Sequence, residues 1–301
     1  MNELISVIIT TYKREMPILK RAIDSIINQS YQEIEVLIIN DFYPYKEQID
    51  KLINSFNEIN FTIQVFHNSQ NKGACYSRNI GIKNAQGKYI AFLDDDDEWK
   101  SEKLQEQYSL MKENTAMVYC SGLNIYVNGK TSEMTFIKGY PKEKQLEKLL
   151  SCNYMGGCSF PLIKTDILRK LEGFDESLPS SQDFDLWIRI TETYNVSFIN
   201  KPLVLYHIMP DSITRSDTKR IKGFYIILKK HKKLYNKYPK SAVQIYNSII
   251  TVNIEHKKYL KTILPFIKSF AFFPHNLSII SFWFSILIQK SFNHKDKNRK
   301  N

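Results

Sequence analysis

The chain has 301 residues, 43% of them hydrophobic, which is ample for the core of one large domain or of a domain plus an extension. Its four cysteines, Cys75, Cys120, Cys152 and Cys158, form no CxxC pair, which argues against a zinc site or a disulfide framework and for reduced thiols in a cytosolic protein. The formal net charge of +11 is uneven: from Lys219 onward 18 Lys and Arg face 2 Asp and Glu, against 24 and 29 before it, so a membrane or nucleic-acid contact would fall to the tail alone. The amino terminus runs straight into a strand-like stretch, without a basic leader or cleavage site, so no signal peptide is expected. Residues 4–12 (LISVIITTY) read as a buried strand. Ile18, Leu19, Ala22, Ile23, Ile26 and Ile27 recur at helical spacing and predict a crossover helix. Residues 34–40 (IEVLIIN) predict a second strand, ending at Asp41, where a carboxylate can serve a base or ribose or simply close a turn.

Residues 46–56 predict a second helix and residues 61–66 a third strand. Residues 71–85 follow as a helix opened by Gly73, with Arg78 and Asn79 in its early turns, where an Arg can reach a diphosphate. A fourth strand then runs into the centre of the sequence, residues 89–99, YIAFLDDDDEW. A buried strand that ends in four carboxylates puts them where open α/β sheets bind ligands. Adjacent carboxylates raise one another's pKa unless a cation neutralises them, and hard oxygen ligands suit Mg²⁺ or Mn²⁺ beside substrate phosphates. The alternation of strand and helix predicts a parallel sheet with right-handed crossovers. Neither a GxGxxG after the first strand nor a GxxxxGK[ST] is present, so dinucleotide and P-loop folds lose support.

After Trp99, residues 101–112 predict a helix with Ser101 as N-cap, residues 117–125 a strand, Asn128-Gly129 a hairpin turn, and residues 131–137 the returning strand. Residues 142–150 read as a short helix, and the Gly-rich residues 153–160 (NYMGGCSF) as a segment beside a ligand or another strand. A helix over 165–171 ends at Gly173. In residues 180–191 (SSQDFDLWIRIT) the spacing of Leu186, Trp187 and Ile190 puts Asp183 in the first turn of a helix, where both it and Asp185 suit the positive helix end. Residues 196–199 and 203–206 predict two short strands, and residues 207–214 a loop.

The order of these pieces resembles the large family of inverting, nucleotide-sugar-dependent glycosyltransferases with the GT-A fold, family 2. The marks are SVIITTY, Asp41, the tripeptide Ser77 to Asn79, FLDDDDEW, GGCSF, the GFDE of Gly173 to Glu176, and QDFDLW, spread over roughly residues 5–214. The resemblance implies an α/β GT-A fold: a Rossmann-like, mostly parallel central sheet flanked by helices, with a C-terminal helical extension. It implies a catalytic domain over 1–217, with a nucleotide-sugar-binding half over 1–100 and an acceptor half over 101–217. Thr10, Tyr12, Asp41, Arg78, Asp94 and Asp95 would line the nucleotide-sugar site. Asp96, with Asp94, would hold Mn²⁺ or Mg²⁺, and Asp183 would be the catalytic base. The chain departs from the family in three places. Asp41-Phe42-Tyr43-Pro44-Tyr45 replaces the usual Asp-Gly-Ser-Thr-Asp, Gln182 replaces Glu before Asp183, and the late loop offers His207 and Met209, of which His207 could serve as a shifted metal ligand. The implied activity is transfer of a hexose or N-acetylhexosamine from a nucleotide diphosphate sugar, a UDP-sugar first, to a glycan or lipid-linked acceptor.

Residues 218–301 form a basic, aromatic-rich extension beyond this match. Ile221, Phe224, Tyr225, Leu228 and Tyr235 trace one helical face, with Pro239 as its stop, and Val243, Tyr246, Ile249 and Ile250 predict another helix. The longest clean apolar run, residues 277–288, is too short to span a bilayer, which needs ~20 residues. Aromatic and basic residues mixed in this way suit a helix lying among lipid headgroups, or else one packed on the catalytic body. The expectation is a cytoplasmic enzyme, peripheral on the inner face of the cell membrane, without nucleic-acid binding. Two other classes start from the same features: a metal-dependent phosphotransferase or hydrolase from the carboxylates, and a nucleic-acid-binding protein from the basic tail. Neither brings a motif of its own.

Overall fold

The structure is a computed structural model that describes residues 2–56, 60–208 and 217–272. The chain divides into two compact units. One comprises Met1–Leu149 and Asn153–Ser216, the other Leu150–Cys152 and Asp217–Asn301.

The first unit is built on one nine-stranded sheet. Its first half is β1 (Ile5–Thr11), α1 (Met16–Ile27), β2 (Ile34–Asn40), α2 (Lys46–Asn54), β3 (Thr62–His67), α3 (Ala74–Asn84) and β4 (Tyr89–Asp94). The four strands lie parallel in the order β3-β2-β1-β4. β1, β2 and β4 are buried along nearly their whole length, which is why they read as unbroken apolar runs rather than alternating ones. Register sets the functional edge. Thr11 pairs with Asn40 and Thr10 with Asp94, so the carboxyl ends of three strands finish level. Gly73 opens α3 at φ 89°, a left-handed conformation that favours glycine.

The second half is β5 (Glu98–Trp99), α4 (Lys103–Ser109), β6 (Thr115–Ile125), β7 (Thr131–Glu133), α5 (Lys142–Ser151), β8 (Pro161–Lys164), α6 (Thr165–Lys170), α7 (Gln182–Thr193) and β9 (Asn195–His207). β8 runs antiparallel between β4 and β6, so the sheet is mixed past β4. The Asn128-Gly129 turn forms, with Gly129 at φ 77°, but the returning strand stops at Glu133: the Met134 amide still reaches the Gly122 carbonyl at 3.0 Å, and the Met134 carbonyl then accepts the Ile137 amide at 3.0 Å in a turn. The expected strands 196–199 and 203–206 are one strand, β9, which pairs with β6 through an irregularity near Pro202. Ser101 is not the N-cap expected of it. α4 starts at Lys103 behind Glu102 with no side-chain cap, and the Ser101 carbonyl instead accepts the Ser30 amide at 2.8 Å. α6 ends at Lys170, and Gly173, φ 67°, follows it as the expected stop, its amide reaching the Leu168 carbonyl at 2.9 Å.

The second unit is helical: α8 (Asp217–Lys230), α9 (Lys232–Lys237), α10 (Pro239–Glu255) and α11 (Ile263–Phe272). The single helix expected up to Pro239 breaks at buried His231, and Pro239 starts α10 instead, at a position where its missing N–H costs nothing. Val243, Tyr246, Ile249 and Ile250 are buried on α10. Residues 150–152 belong here because this unit holds them. The Tyr235 hydroxyl donates to the Leu150 carbonyl at 3.2 Å, and the Ser151 hydroxyl to Ser241 Oγ at 2.9 Å. Among the described residues no helix is long and apolar enough to cross a membrane. The apolar run 277–288 and the loop position Met209 lie outside the described residues.

Candidate active site

β4 delivers its aspartates into a tight turn, with the Asp97 amide on the Asp94 carbonyl at 3.0 Å. The turn is braced from the Gly-rich segment. The Asp94 amide donates to Ser159 Oγ at 3.1 Å, the same hydroxyl donates to Asp97 Oδ2 at 2.6 Å, and Trp99 Nε1 donates to the Ser159 carbonyl at 2.9 Å. Residues 153–160 thus lie beside the carboxylates.

Three arginines face this turn. Arg78 Nη2 donates to Asp94 Oδ1 at 2.7 Å, and its guanidinium stacks 5.4 Å from the Phe174 ring centroid. Asn79 fixes that ring's segment. Its amide donates to the Phe174 carbonyl and to Glu176 Oε1, at 2.9 and 2.8 Å, and its oxygen accepts the Phe174 amide at 2.8 Å. The two motifs at 77–79 and 173–176 are therefore one structural clamp. A Cβ on Gly173 would sit 2.4 Å from Asn79 Oδ1. Arg14, two residues past Tyr12, donates from Nε to Asp95 at 2.8 Å and from Nη2 to Asp96 at 2.9 Å. Arg21 donates to the Asp96 carbonyl at 2.7 Å and pairs with Glu98 at 3.2 Å.

Even so, negative charge is in excess. Burial, then Asp94, lifts the Asp96 carboxyl to about 6. Asp95 is raised by burial against the pull of Arg14. Asp97 is raised well above the usual carboxylate range by burial and by Asp94, and its Oδ1 is buried without a hydrogen-bond partner. Among the described residues no three His, Cys, Asp or Glu side chains form a group able to hold a metal ion. The donor chemistry nevertheless fits a divalent cation of the kind that takes one or two carboxylates and completes its shell with phosphate oxygens and water. Asp94 and Asp96 would hold it. His207 Nε2 lies 2.6 Å from Glu98 Oε1, and burial followed by Arg21 lowers its pKa, so in this conformation it serves that carboxylate.

Thr10 and Tyr12 stand at the end of β1. The Tyr12 ring is 44% exposed and packs edge-on against Phe42 at 5.5 Å, which in turn packs on Tyr45 at 4.9 Å. The aromatic sequence after Asp41 therefore forms a cluster where the family carries small residues. Asp41 itself is buried and accepts from Asn68 Nδ2 and the Lys72 amide on Oδ1, and from the Gly73 amide on Oδ2, at 2.7–2.8 Å. It shapes the loop that leads into α3.

Asp183 sits in the first turn of α7, just after Ser181 at φ 60°. Its Oδ1 accepts its neighbour's amide, Phe184, at 2.8 Å, and its Oδ2 accepts Asn153 Nδ2 at 3.1 Å. Burial raises its pKa, with Asp94 adding to the rise and Arg78 opposing it, so the three groups share one electrostatic neighbourhood. Asp185 faces elsewhere. It is fully buried and bonded to Arg189 Nε at 2.8 Å, while Arg189 also holds the Leu171 and Gly173 carbonyls. Arg14, Asn153 and Ser159 were not singled out by sequence reasoning. Only the last two left a trace, as members of the Gly-rich segment.

Residues 6–171, more than half the chain, match the profile of Glycosyl transferase family 2. The chain belongs to that family. The glycosyltransferase is 28% identical over 244 residues to the putative colanic acid biosynthesis glycosyl transferase WcaA of Escherichia coli, covering 79% of this chain and 85% of the relative. Its fold is shared with TarS residues 1–349 of S. aureus, solved with UDP-GlcNAc, at a TM-score of 0.67 and 18% identity over 88% of this chain and 79% of that one. It is shared too with the mannosyltransferase PcManGT of Pyrobaculum calidifontis, solved with GDP-Man and Mn²⁺, at a TM-score of 0.62 and 12% identity over 95% and 79%. The GT-A architecture expected from the sequence is the architecture of this enzyme.

Proposed function

We propose that the glycosyltransferase moves a hexose or N-acetylhexosamine from a nucleotide diphosphate sugar, a UDP-sugar first, to a hydroxyl of a cell-surface glycan or lipid-linked acceptor, by an inverting single displacement. The observation that supports this reading is the Arg78–Asp94 pair, bonded at 2.7 Å at the end of β4, together with the buried carboxylate of Asp183 in the first turn of α7, whose pKa is raised by burial. Thr10, Tyr12, Asp41, Arg78, Asp94 and Asp95 line the donor side. Asp96 and Asp94 would hold Mn²⁺ or Mg²⁺, which would supply charge stabilisation for the leaving diphosphate. Arg78, stacked on Phe174 and bonded to Asp94, would bring its guanidinium charge to the same diphosphate. Asp183 accepts the proton of the acceptor hydroxyl as that oxygen attacks the anomeric carbon from the side opposite the diphosphate. Burial suits it to this role, because a carboxylate with a raised pKa is a stronger base. Residues 1–217 carry the chemistry, with the donor in 1–100 and the acceptor in 101–217. The extension 218–301 holds the enzyme on the cytoplasmic face of an anionic membrane. WcaA, by its name, serves colanic acid biosynthesis, and polysaccharide assembly is the matching setting.

Asp183→Asn tests the chemistry. It keeps the shape and removes the basicity, so turnover falls ~10²–10⁴-fold while donor affinity holds. Normal turnover by Asp183→Asn, or a product whose anomeric configuration by NMR is that of the donor, would remove the mechanism.

A further inference from the structure

α11 is amphipathic the wrong way round for a soluble helix. Pro265 and Ser269 are buried, and Phe272 packs toward Tyr246 of α10 with ring centroids 6.0 Å apart. The side turned to solvent carries Ile263, Leu264, Ile267 and Phe270, with Leu260 just before the helix. Leu260 is 83% exposed, Ile267 57% and Leu264 55%. Positions 260, 263, 264, 267 and 270 fall at helical spacing, so they make one stripe and not scattered exposures. A contiguous apolar stripe kept in water marks a surface that is covered in use.

The chemistry around the stripe says what covers it. Lys257, Lys258, Lys261 and Lys268 belong to the same stretch, and residues 256–272 contain no Asp or Glu. Among the described residues Asp217 of α8 is the one carboxylate paired there, with Lys258 at 3.5 Å, so positive charge is in excess. A second copy of this face would set lysine against lysine. The chain that follows, residues 273–301, adds Lys290, Lys295, Lys297, Arg299 and Lys300 against Asp296 alone, so it too is basic and a poor partner for the lysines. An anionic lipid surface meets both needs, apolar depth for the stripe and headgroup charge for the lysines. Ten residues of helix measure about 15 Å, half of a bilayer's hydrocarbon core, so the geometry is that of a helix lying in the interface.

We propose that the outward face of α11, Leu260 to Phe270, is the seat by which the enzyme rests on an anionic bilayer, with the stripe among the upper acyl chains and the lysines among the headgroups. This rests on the peripheral-membrane part of the function above and assigns it to one face. The lysines of α8 and α9 are then electrostatic contributors and not the inserted element.

The test is flotation of the full-length protein with vesicles of phosphatidylcholine alone and of phosphatidylcholine with about one-third phosphatidylglycerol. The wild type floats with the anionic vesicles only, and Leu264→Glu with Ile267→Glu lowers its bound fraction at least tenfold. Both positions are exposed, so folding is kept, which circular dichroism and unchanged binding of UDP with Mn²⁺ verify. If the double variant floats as well as the wild type, the seat is elsewhere and this inference falls while the membrane reading stands. If the wild type floats with neither vesicle, both fall. If the double variant instead turns a dimeric wild type into a monomer, a second copy covers the stripe and the inference is overturned.

Discussion

The two ends of the central sheet treat buried carboxylates in opposite ways. At the entering end, Glu35 of β2 is buried, and its Oε1 accepts Ser6 Oγ at 2.5 Å and the Gln86 and Gly87 amides at 2.6 and 3.1 Å. At the exit end, Asp97 is buried as deeply, takes the Ser159 hydroxyl on one oxygen, and leaves the other without a hydrogen bond. Burial of a carboxylate is tolerable when donors answer it and costly when they do not. The chain satisfies the carboxylate that holds β1, β2 and β4 together and leaves under-compensated those of the turn after β4. An excess of negative charge at a strand end is what a cation-bound diphosphate site needs before its ligand arrives.

Four substitutions or conditions sharpen this contrast. The largest effect is expected from Asp96→Asn, which should cut transfer at least ~10²-fold in a steady-state assay, with no fall in melting temperature because it removes one of several crowded charges. A large loss of stability would place Asp96 with Glu35 instead. Glu35→Ala should do the reverse. Leaving Ser6, Gln86 and Gly87 without their acceptor costs about 2–5 kcal/mol in urea unfolding, while the folded fraction keeps its affinity for UDP with Mn²⁺.

Arg14→Gln comes next. Arg14 is the resident countercharge on Asp95 and Asp96, so its removal should tighten donor-free Mn²⁺ binding several-fold, about 1 kcal/mol for a partly exposed pair. Titration followed by electron paramagnetic resonance measures this, and weaker binding would mean that Arg14 positions the carboxylates rather than competing for them. The smallest effect is in pH. The folded chain keeps a proton on Asp96 up to about 6, whereas the unfolded chain releases it near the ordinary 3.8. Between those values the folded state binds more protons, so this group makes stability rise as pH falls from about 6 toward about 4. Melting temperature in chelator should show that slope, and Asp96→Asn should reduce it.

The parallel half of the sheet was legible because strands covered on both faces need apolar side chains at every position, and β1, β2 and β4 carry them. β8 was not: its four residues begin with a proline and follow glycines, and antiparallel pairing by both neighbours makes them a strand. Asp183 and the carboxylate turn were legible by type and place, one in the first turn of a helix and the other after a buried run. Arg14 was invisible, since an arginine just past a strand looks like any loop cation. Its role comes from a β1–β4 register that joins residues more than eighty positions apart. The stripe on α11 was half legible. Its composition suggested a lipid surface, but only burial of Pro265 and Ser269 tells which side faces out.

The brief excursion of residues 150–152 limits how modular this enzyme is. The carbonyl of Leu150 and the hydroxyl of Ser151 are gripped by Tyr235 and Ser241, and the next residue but one after Ser151 is Asn153, whose amide meets Asp183. The carboxy-terminal helices are therefore not a cassette that can be cut off or exchanged at residue 217. A shortened chain would lose the two groups that hold residues 150 and 151, just ahead of Asn153, which donates to Asp183. Its inactivity would say nothing about lipid, and a chimera with a foreign tail would have to bring along residues matched to 150–152.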